Sequence, residues 1–313
     1  MTIRLYALIG GLALASASLA QARQDVVQDI VPDEPLAQEE LDKPREPITA
    51  PTRAPNRAPN RARTRPQTRA PGPPVITGRS APPSVLAILA HPDDEITIAP
   101  VLARIAREGG AVTLIYATSG DAGPGTSGLE RAEAIGAMRE KEGRCAAFAL
   151  GLEEPEFWNL GDGALATMAR APQSPAREAL ARIKEAIAKA GAEVIMTWGP
   201  DGGYGHADHR MISALVTQAV AQLGSNRPEL LYAAFPKSEG NPLPGFESWA
   251  TTSADLITDT IRYLPDDLNA TEIAVRCYES QFPRPAREGL VRLLHGNVWQ
   301  GKIHFRMAFP APR

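Results

Sequence analysis

Histidine and cysteine are both scarce in this chain of 313 residues, at 5 and 2. Two cysteines cannot build a disulfide-dense scaffold or a cysteine-rich zinc finger. Long apolar runs are missing too. Beyond the N-terminus no segment approaches the ~18 consecutive apolar residues of a membrane span, so no transmembrane helix is expected in the mature chain. A strong charge of either sign is also absent, the formal net charge being −3. Residues 1–83 carry 11 Lys/Arg against 8 Asp/Glu, which leaves the remainder mildly acidic. That balance argues against nucleic acid as the main partner.

Proline is plentiful but uneven, with 13 of 29 in residues 1–83. The first quarter therefore reads as extended and the rest as globular. A hydrophobic content of 43% allows a sizeable core there. Residues 1–22 have the three parts of a secretory signal peptide: Arg4, the short apolar run Leu5–Ala17, and the small-x-small site Ala20-Gln21-Ala22. The expected location is exported, periplasmic or secreted. Residues 23–83 read as a disordered Pro/Arg-rich linker, in which Arg53, Arg57, Arg61, Arg65 and Arg69 recur every four residues. It is either a loose tether making weak cell-envelope contact or a soluble spacer, and the spacer is the simpler reading.

From Ser84 onward strands and helices alternate. Strands are expected at 84–90, 112–117, 156–160, 193–198 and 230–235, and helices at 95–108, 129–150, 174–190 and 207–223. A further helix is expected at 271–281, with another helix and an edge strand toward the end. This order predicts an α/β fold with a mostly parallel sheet covered by helices on both faces. Such sheets place their sites at the carboxyl ends of strands.

Two of those strand ends carry unusual chemistry. The first strand runs into His91-Pro-Asp93-Asp94-Glu95. Helix capping explains one or two acids in a first turn, but not the histidine or the doubled aspartate. The fourth strand runs into a glycine-rich loop ending Tyr204-Gly-His206-Ala-Asp208-His209. Three of the five histidines thus meet at two strand ends that the topology brings together. Two histidines and one carboxylate leave an open coordination position, as a hydrolytic zinc site requires. The same set also describes non-haem iron oxygenases. The α/β setting and the spare Asp93 and His206 favour hydrolysis.

The two strings together, Ala90–Glu95 and Gly202–His209, resemble the PIG-L/LmbE-like deacetylase family, over roughly Ser84–Phe235. The resemblance implies a Rossmann-like three-layer α/β sandwich spanning 84–313. It implies a Zn2+ site, with Fe2+ as another candidate, held by His91, Asp94 and His209. It makes Asp93 the general base, His206 the group that stabilises or protonates the tetrahedral species, and Asp208 its orienter. Tyr204 would polarise the substrate carbonyl. Arg139, in an Arg-x-x-Glu pair with Glu142, and Asp162 would bind substrate. The implied activity is removal of an N-acetyl group from an N-acetylglucosamine-type amino sugar or glycoconjugate. A larger N-acyl conjugate as substrate, or a non-catalytic envelope-binding module, are the competing readings. Departures are mild: Ala207 replaces a common proline, and Asp121 stands where glutamate is usual.

Several residues have plainer readings. Glu95 is taken as a helix-start acid only. His295 and His304 have no partner motif. Trp198 is either core or part of the site. Cys145 and Cys277 could pair in an exported protein, but two buried thiols are the slightly preferred reading.

Overall fold

Val85-Leu-Ala-Ile-Leu89 is buried along its whole length, and its alternate side chains enter two different cores. The structure, a computed structural model, describes residues 81–237 and 245–310. The expected signal peptide and nearly all of the expected linker lie outside the described residues. Along the chain run β1 (Val85–Leu89), α1 (Ala99–Arg107), β2 (Val112–Tyr116), α2 (Ala132–Ala149), β3 (Glu156–Phe157), α3 (Pro175–Ala190), β4 (Val194–Thr197), α4 (Ala207–Ala221), β5 (Glu229–Ala234), β6 (Asp259–Arg262), α5 (Pro265–Arg276), α6 (Arg284–Leu294) and β7 (Lys302–Met307).

The seven strands form one sheet in the order β3-β2-β1-β4-β5-β7-β6. The first five are parallel. The last two are antiparallel additions at one edge. Val85, Ala87 and Leu89 pack with Ile98, with Leu102 and Ile105 of α1, and with Ala146 of α2, Val275 of α5 and Val291 of α6. Leu86 and Ile88 pack on the opposite face with Ile183 of α3 and with Ile212 and Val216 of α4. The result is the expected three-layer sandwich. Each such buried Leu or Ile contributes on the order of 1.5–3 kcal/mol, which is why β1 reads as an unbroken apolar run rather than an alternation.

Element ends differ from expectation at four places. The helix expected from Glu95 begins as a 3-10 turn, Asp94–Thr97, and becomes α-helical only at Ala99. The Asp94 carboxylate holds the preceding backbone in a tight turn, and Pro100 then suits the first helical turn. The second expected helix starts at Ala132, three residues later than Leu129. The third expected strand keeps only two residues: Trp158 and Leu160 still donate to the Tyr116 and Ala117 carbonyls, but Asn159, at φ 56°, interrupts the extended backbone between them. The helix expected at 271–281 runs instead from Pro265 to Arg276, with Asp267 Oδ2 accepting the Leu264 N–H at 2.7 Å to cap its start.

Cys145 and Cys277 are joined, with Cα atoms 5.8 Å apart. This corrects the reading of two buried thiols: α2 and α5 pack together, and Cys145 lies on the exposed side of α2. Among the described residues no helix is long and apolar enough to cross a membrane.

Candidate metal centre

β1 and β4 are parallel neighbours, with Val85 opposite Val194. The sheet order reverses between them: the chain goes outward from β1 to β2 and β3, then returns to β4. Such a switch point opens a crevice at the carboxyl ends of the strands. Both motifs emerge into it.

Asp94 is fixed first. Its Oδ2 accepts the N–H of Ala90 at 2.9 Å, the N–H of His91 at 3.0 Å and the indole N–H of Trp198 at 2.9 Å. Its Oδ1 stands 3.0 Å from Nε2 of His209. His209 Nδ1 is 3.1 Å from the carbonyl of Gly202. A carbonyl only accepts, so the proton belongs on Nδ1 and Nε2 is left with its lone pair. His91 Nδ1 lies 3.1 Å from His209 Nε2 and 3.8 Å from Asp94 Oδ2. Three buried residues thus bring donor atoms together here, Asp94 facing His209 with Oδ1 and His91 with Oδ2.

The far side of His91 is also acidic. Its Nε2 is 3.0 Å from Asp162 Oδ1 and 3.4 Å from Asp208 Oδ2. These are ion-pair distances without an aligned hydrogen bond, and Asp208 Oδ1 is likewise unpartnered. Burial alone would lower the pKa of His91, but Asp162, Asp208 and Asp94 hold it well above its ordinary value. Burial opposes ionisation of Asp94, yet His209 and His91 keep it well below the usual carboxylate range. Asp162 is pulled to about 2, against burial, chiefly by His91.

The residues fit a divalent cation. Three carboxylates around two buried imidazoles are an excess of negative charge that a cation offsets. Two other donor triplets lie close enough to share an ion, His91 with His206 and His209, and His91 with Asp162 and Asp208. The expected set His91, Asp94 and His209 has pairwise approaches of 3.0, 3.1 and 3.8 Å. His209 has its tautomer fixed by Gly202, and the two acids behind His91 match the carboxylate–histidine–metal arrangement. His206, by contrast, already accepts the N–H of Asp208 on Nδ1 at 3.2 Å as the N-cap of α4.

The remaining polar groups are more open. The side chain of Asp93 is 22% exposed, whereas that of Arg139 is 4% exposed. Arg139 Nη2 donates to Asp93 Oδ2 at 3.0 Å and to the Pro92 carbonyl at 2.7 Å, while Nη1 donates to the Gly120 carbonyl at 3.0 Å. His206 is half-buried, its ring 4.6 Å from His91 and 4.8 Å from His209. Burial, then the charges of His91 and His209, push its pKa down to about 4. Tyr204 stands edge-on to His209, its ring 5.2 Å away. Its ring also lies 5.3 Å from Trp249 and 6.0 Å from His206. A cavity of about 570 Å³, lined by Ala164, Met168 and Pro172 among others, lies beside the segment that follows Asp162; no histidine lines it.

All nine expected site residues are brought to this crevice or its wall, but three make contacts that the expected roles did not include. Arg139 is buried, with its guanidinium on Asp93 and on two backbone carbonyls. Asp162 lies against His91, its Oδ1 facing that imidazole. Its own N–H is held by Asp121 Oδ1 at 2.9 Å. The carboxylate of Asp208 is spent on His91 and on the Gly163 N–H, at 2.7 Å; what Asp208 offers His206 is its backbone N–H.

Two further residues join the site. Trp198, expected as either core or part of the site, donates to Asp94 and stacks on His209. Glu95 is wholly buried. Its Oε1 accepts Tyr278 OH at 2.6 Å, and its Oε2 accepts Tyr116 OH at 2.7 Å and the Asp93 N–H at 3.1 Å. Burial raises its pKa to about 7. Tyr278 carried no signal in the sequence. Glu142, expected to pair with Arg139 in a motif, instead accepts the Ser280 N–H at 2.7 Å and its hydroxyl at 2.6 Å. His295 and His304 lie elsewhere, bonded to Tyr263 and Thr260.

Comparison with known proteins agrees with this geometry. Residues 86–220 match the model of the PIG-L family, described as GlcNAc-PI de-N-acetylase. A 1D-myo-inositol 2-acetamido-2-deoxy-alpha-D-glucopyranoside deacetylase from Rhodococcus erythropolis is 34% identical over 177 residues, covering 50% of this chain but only 57% of that protein. The N,N'-diacetylchitobiose deacetylase from Pyrococcus horikoshii is similar in structure, with a TM-score of 0.55 at 19% identity, over 73% of this chain and 86% of that one. A 4-carboxy-2-hydroxymuconate hydratase from Pseudomonas putida scores 0.54 at 16% identity, over 73% of this chain and 97% of that one. The architecture is thus shared across different reactions, and chemistry must be argued from the site. The family match, over residues 86–220, spans both motifs and every expected site residue, so this segment is similar to the PIG-L family throughout the crevice.

Proposed function

We propose that the chain is a metal-dependent hydrolase that removes an N-acetyl or other N-acyl group from an N-acetylglucosamine-type amino sugar or glycoconjugate. One observation carries this reading. His91, Asp94 and His209 converge in a buried triangle, while Asp93 and His206 stand beside it partly open to solvent. The relatives are named as deacetylases of acetamido sugars, which supports the substrate class.

His91, Asp94 and His209 would hold the ion, which the reading takes as Zn2+, with Fe2+ as the competing choice. When bound there, a divalent ion polarises an acyl carbonyl and lowers the pKa of water. Asp93, gripped by Arg139, takes a proton from the attacking water. His206, neutral at pH 7 through its depressed pKa, presents an imidazole to the opposite side of the reacting carbon. It hydrogen-bonds the developing negative oxygen or relays a proton to the leaving amine. Tyr204 stands near enough to join that contact.

We further propose that the protein is exported. The joined cysteines suit an oxidising compartment, and the N-terminal residues read as a signal. An envelope glycan, glycolipid or extracellular amino sugar is then the natural substrate. The test is acetate release from N,N'-diacetylchitobiose, peptidoglycan fragments and longer N-acyl sugars, after chelation and re-addition of Zn2+ or Fe2+. Metal-dependent release from one of them supports the proposal. Release from none with either metal overturns it in favour of a non-catalytic binding module.

A further inference from the structure

Asp93 is the one residue of the His91–Glu95 string in left-handed backbone, at φ 104° and ψ −18°. For a residue other than glycine this conformation costs about 1–3 kcal/mol, and it persists only where neighbouring groups enforce it. Two groups do so here. Arg139 grips the carboxylate, and Glu95 Oε2 accepts the Asp93 N–H.

Glu95 is itself held from outside the family-matched segment. Tyr278 follows α5 and gives its hydroxyl proton to Glu95 Oε1. The segment around Tyr278 is tied to α2, the helix that carries Arg139. Ser280 bonds Glu142 twice, and Cys277 is joined to Cys145. On the other side, the Thr126 N–H donates to the Ser280 carbonyl at 2.6 Å. A carboxylate shut away from water is expensive unless it is fully hydrogen-bonded. Glu95 has three donors, and one of them is the backbone of the proposed base.

We infer that Glu95 and Tyr278 are positioning residues for Asp93. Glu95 fixes the backbone turn that aims the Asp93 carboxylate at the metal centre, and Tyr278 fixes Glu95. The C-terminal segment, beyond residue 220, is therefore a working part of the site. This inference rests on the reading of Asp93 as base, so its kinetic and structural tests are kept separate.

The kinetic test compares Glu95→Ala, Glu95→Gln and Tyr278→Phe with the wild type on N,N'-diacetylchitobiose, with metal content measured for each. Misplacing a reacting group by an ångström can cost on the order of 100-fold, and Glu95→Ala should lose kcat on that scale. KM and metal content should stay near wild type. Glu95→Gln keeps an oxygen for the Asp93 N–H and should recover most of the loss. Tyr278→Phe should lose about tenfold, an intermediate effect. Unchanged kcat in Glu95→Ala, or a loss that tracks metal content, overturns the inference. Should Glu95→Ala not fold, Tyr278→Phe decides in the same way.

The structural test is independent of activity. Crystals of Glu95→Ala should show Asp93 at negative φ with its Arg139 contact broken, and crystals of Glu95→Gln should keep both. Should Glu95→Ala not fold, a Tyr278→Phe crystal should show the Glu95 contact to the Asp93 N–H lengthened or lost. Asp93 unchanged in Glu95→Ala, or that contact unchanged in Tyr278→Phe, overturns the inference even if the wild type deacetylates nothing.

Discussion

Trp198 lies face to face on His209, with ring centroids 4.3 Å apart and planes 7° from parallel, while its indole N–H donates to Asp94 at 2.9 Å. One side chain therefore orients two of the three proposed metal ligands. Trp198→Phe keeps the stacking but removes the donor. Outer hydrogen bonds of this kind are typically worth about 10–100-fold in metal affinity, and a loss in that range is expected. Competition against a coloured chelator measures it; an unchanged affinity would make Trp198 a packing residue.

Asp93→Asn should keep its metal and lose most turnover, on the order of 100-fold or more, because the amide cannot take a proton. His209→Ala should instead lose the metal itself. Metal analysis alongside acetate release separates the two variants. Full metal occupancy in His209→Ala would remove it from the ligand set.

Asp162→Asn tests whether this carboxylate serves the metal ligand or the substrate. Its contact with His91 predicts weakened metal affinity, about tenfold or more, before any change in KM at saturating metal. A raised KM with metal affinity intact would restore the substrate-binding role that the family resemblance implied.

The link between Cys145 and Cys277 spans a sequence separation of 132. Removing a native link of this kind typically costs about 2–5 kcal/mol. The double variant Cys145→Ser, Cys277→Ser should be destabilised within that range in denaturant unfolding. Wild type treated with reductant should match it.

Gly203 has φ +69°, and a Cβ there would meet the Trp198 ring at 2.6 Å. Gly203→Ala should therefore both strain the loop and displace Trp198. Lower metal affinity, not merely a lower melting temperature, is the expected outcome, and a chelator titration reads it directly.

Much of this could be read before folding. The apolar run of β1 and the two motifs at strand ends point to a parallel α/β sheet with histidines and carboxylates gathered at one crevice, because a side chain's chemistry and its distance from a strand end are local properties. The choice of His91, Asp94 and His209 as ligands came from the family resemblance and stands as a proposal. The roles of Arg139, Asp162 and Asp208 needed more, because each depends on which neighbour the side chain meets. A family motif says that an arginine is present; only packing says whether it faces a sugar or a carboxylate.

The scarcity of histidine and cysteine follows the same division. The sequence by itself determined that three of five histidines share one site, since strand order and motif spacing leave them no other place. Whether the two cysteines pair, and that Tyr278 reaches Glu95 from 183 residues away, was decided by the tertiary structure. Those contacts come from the docking of α5 and its following turn onto α2, a long-range packing event that no local pattern encodes.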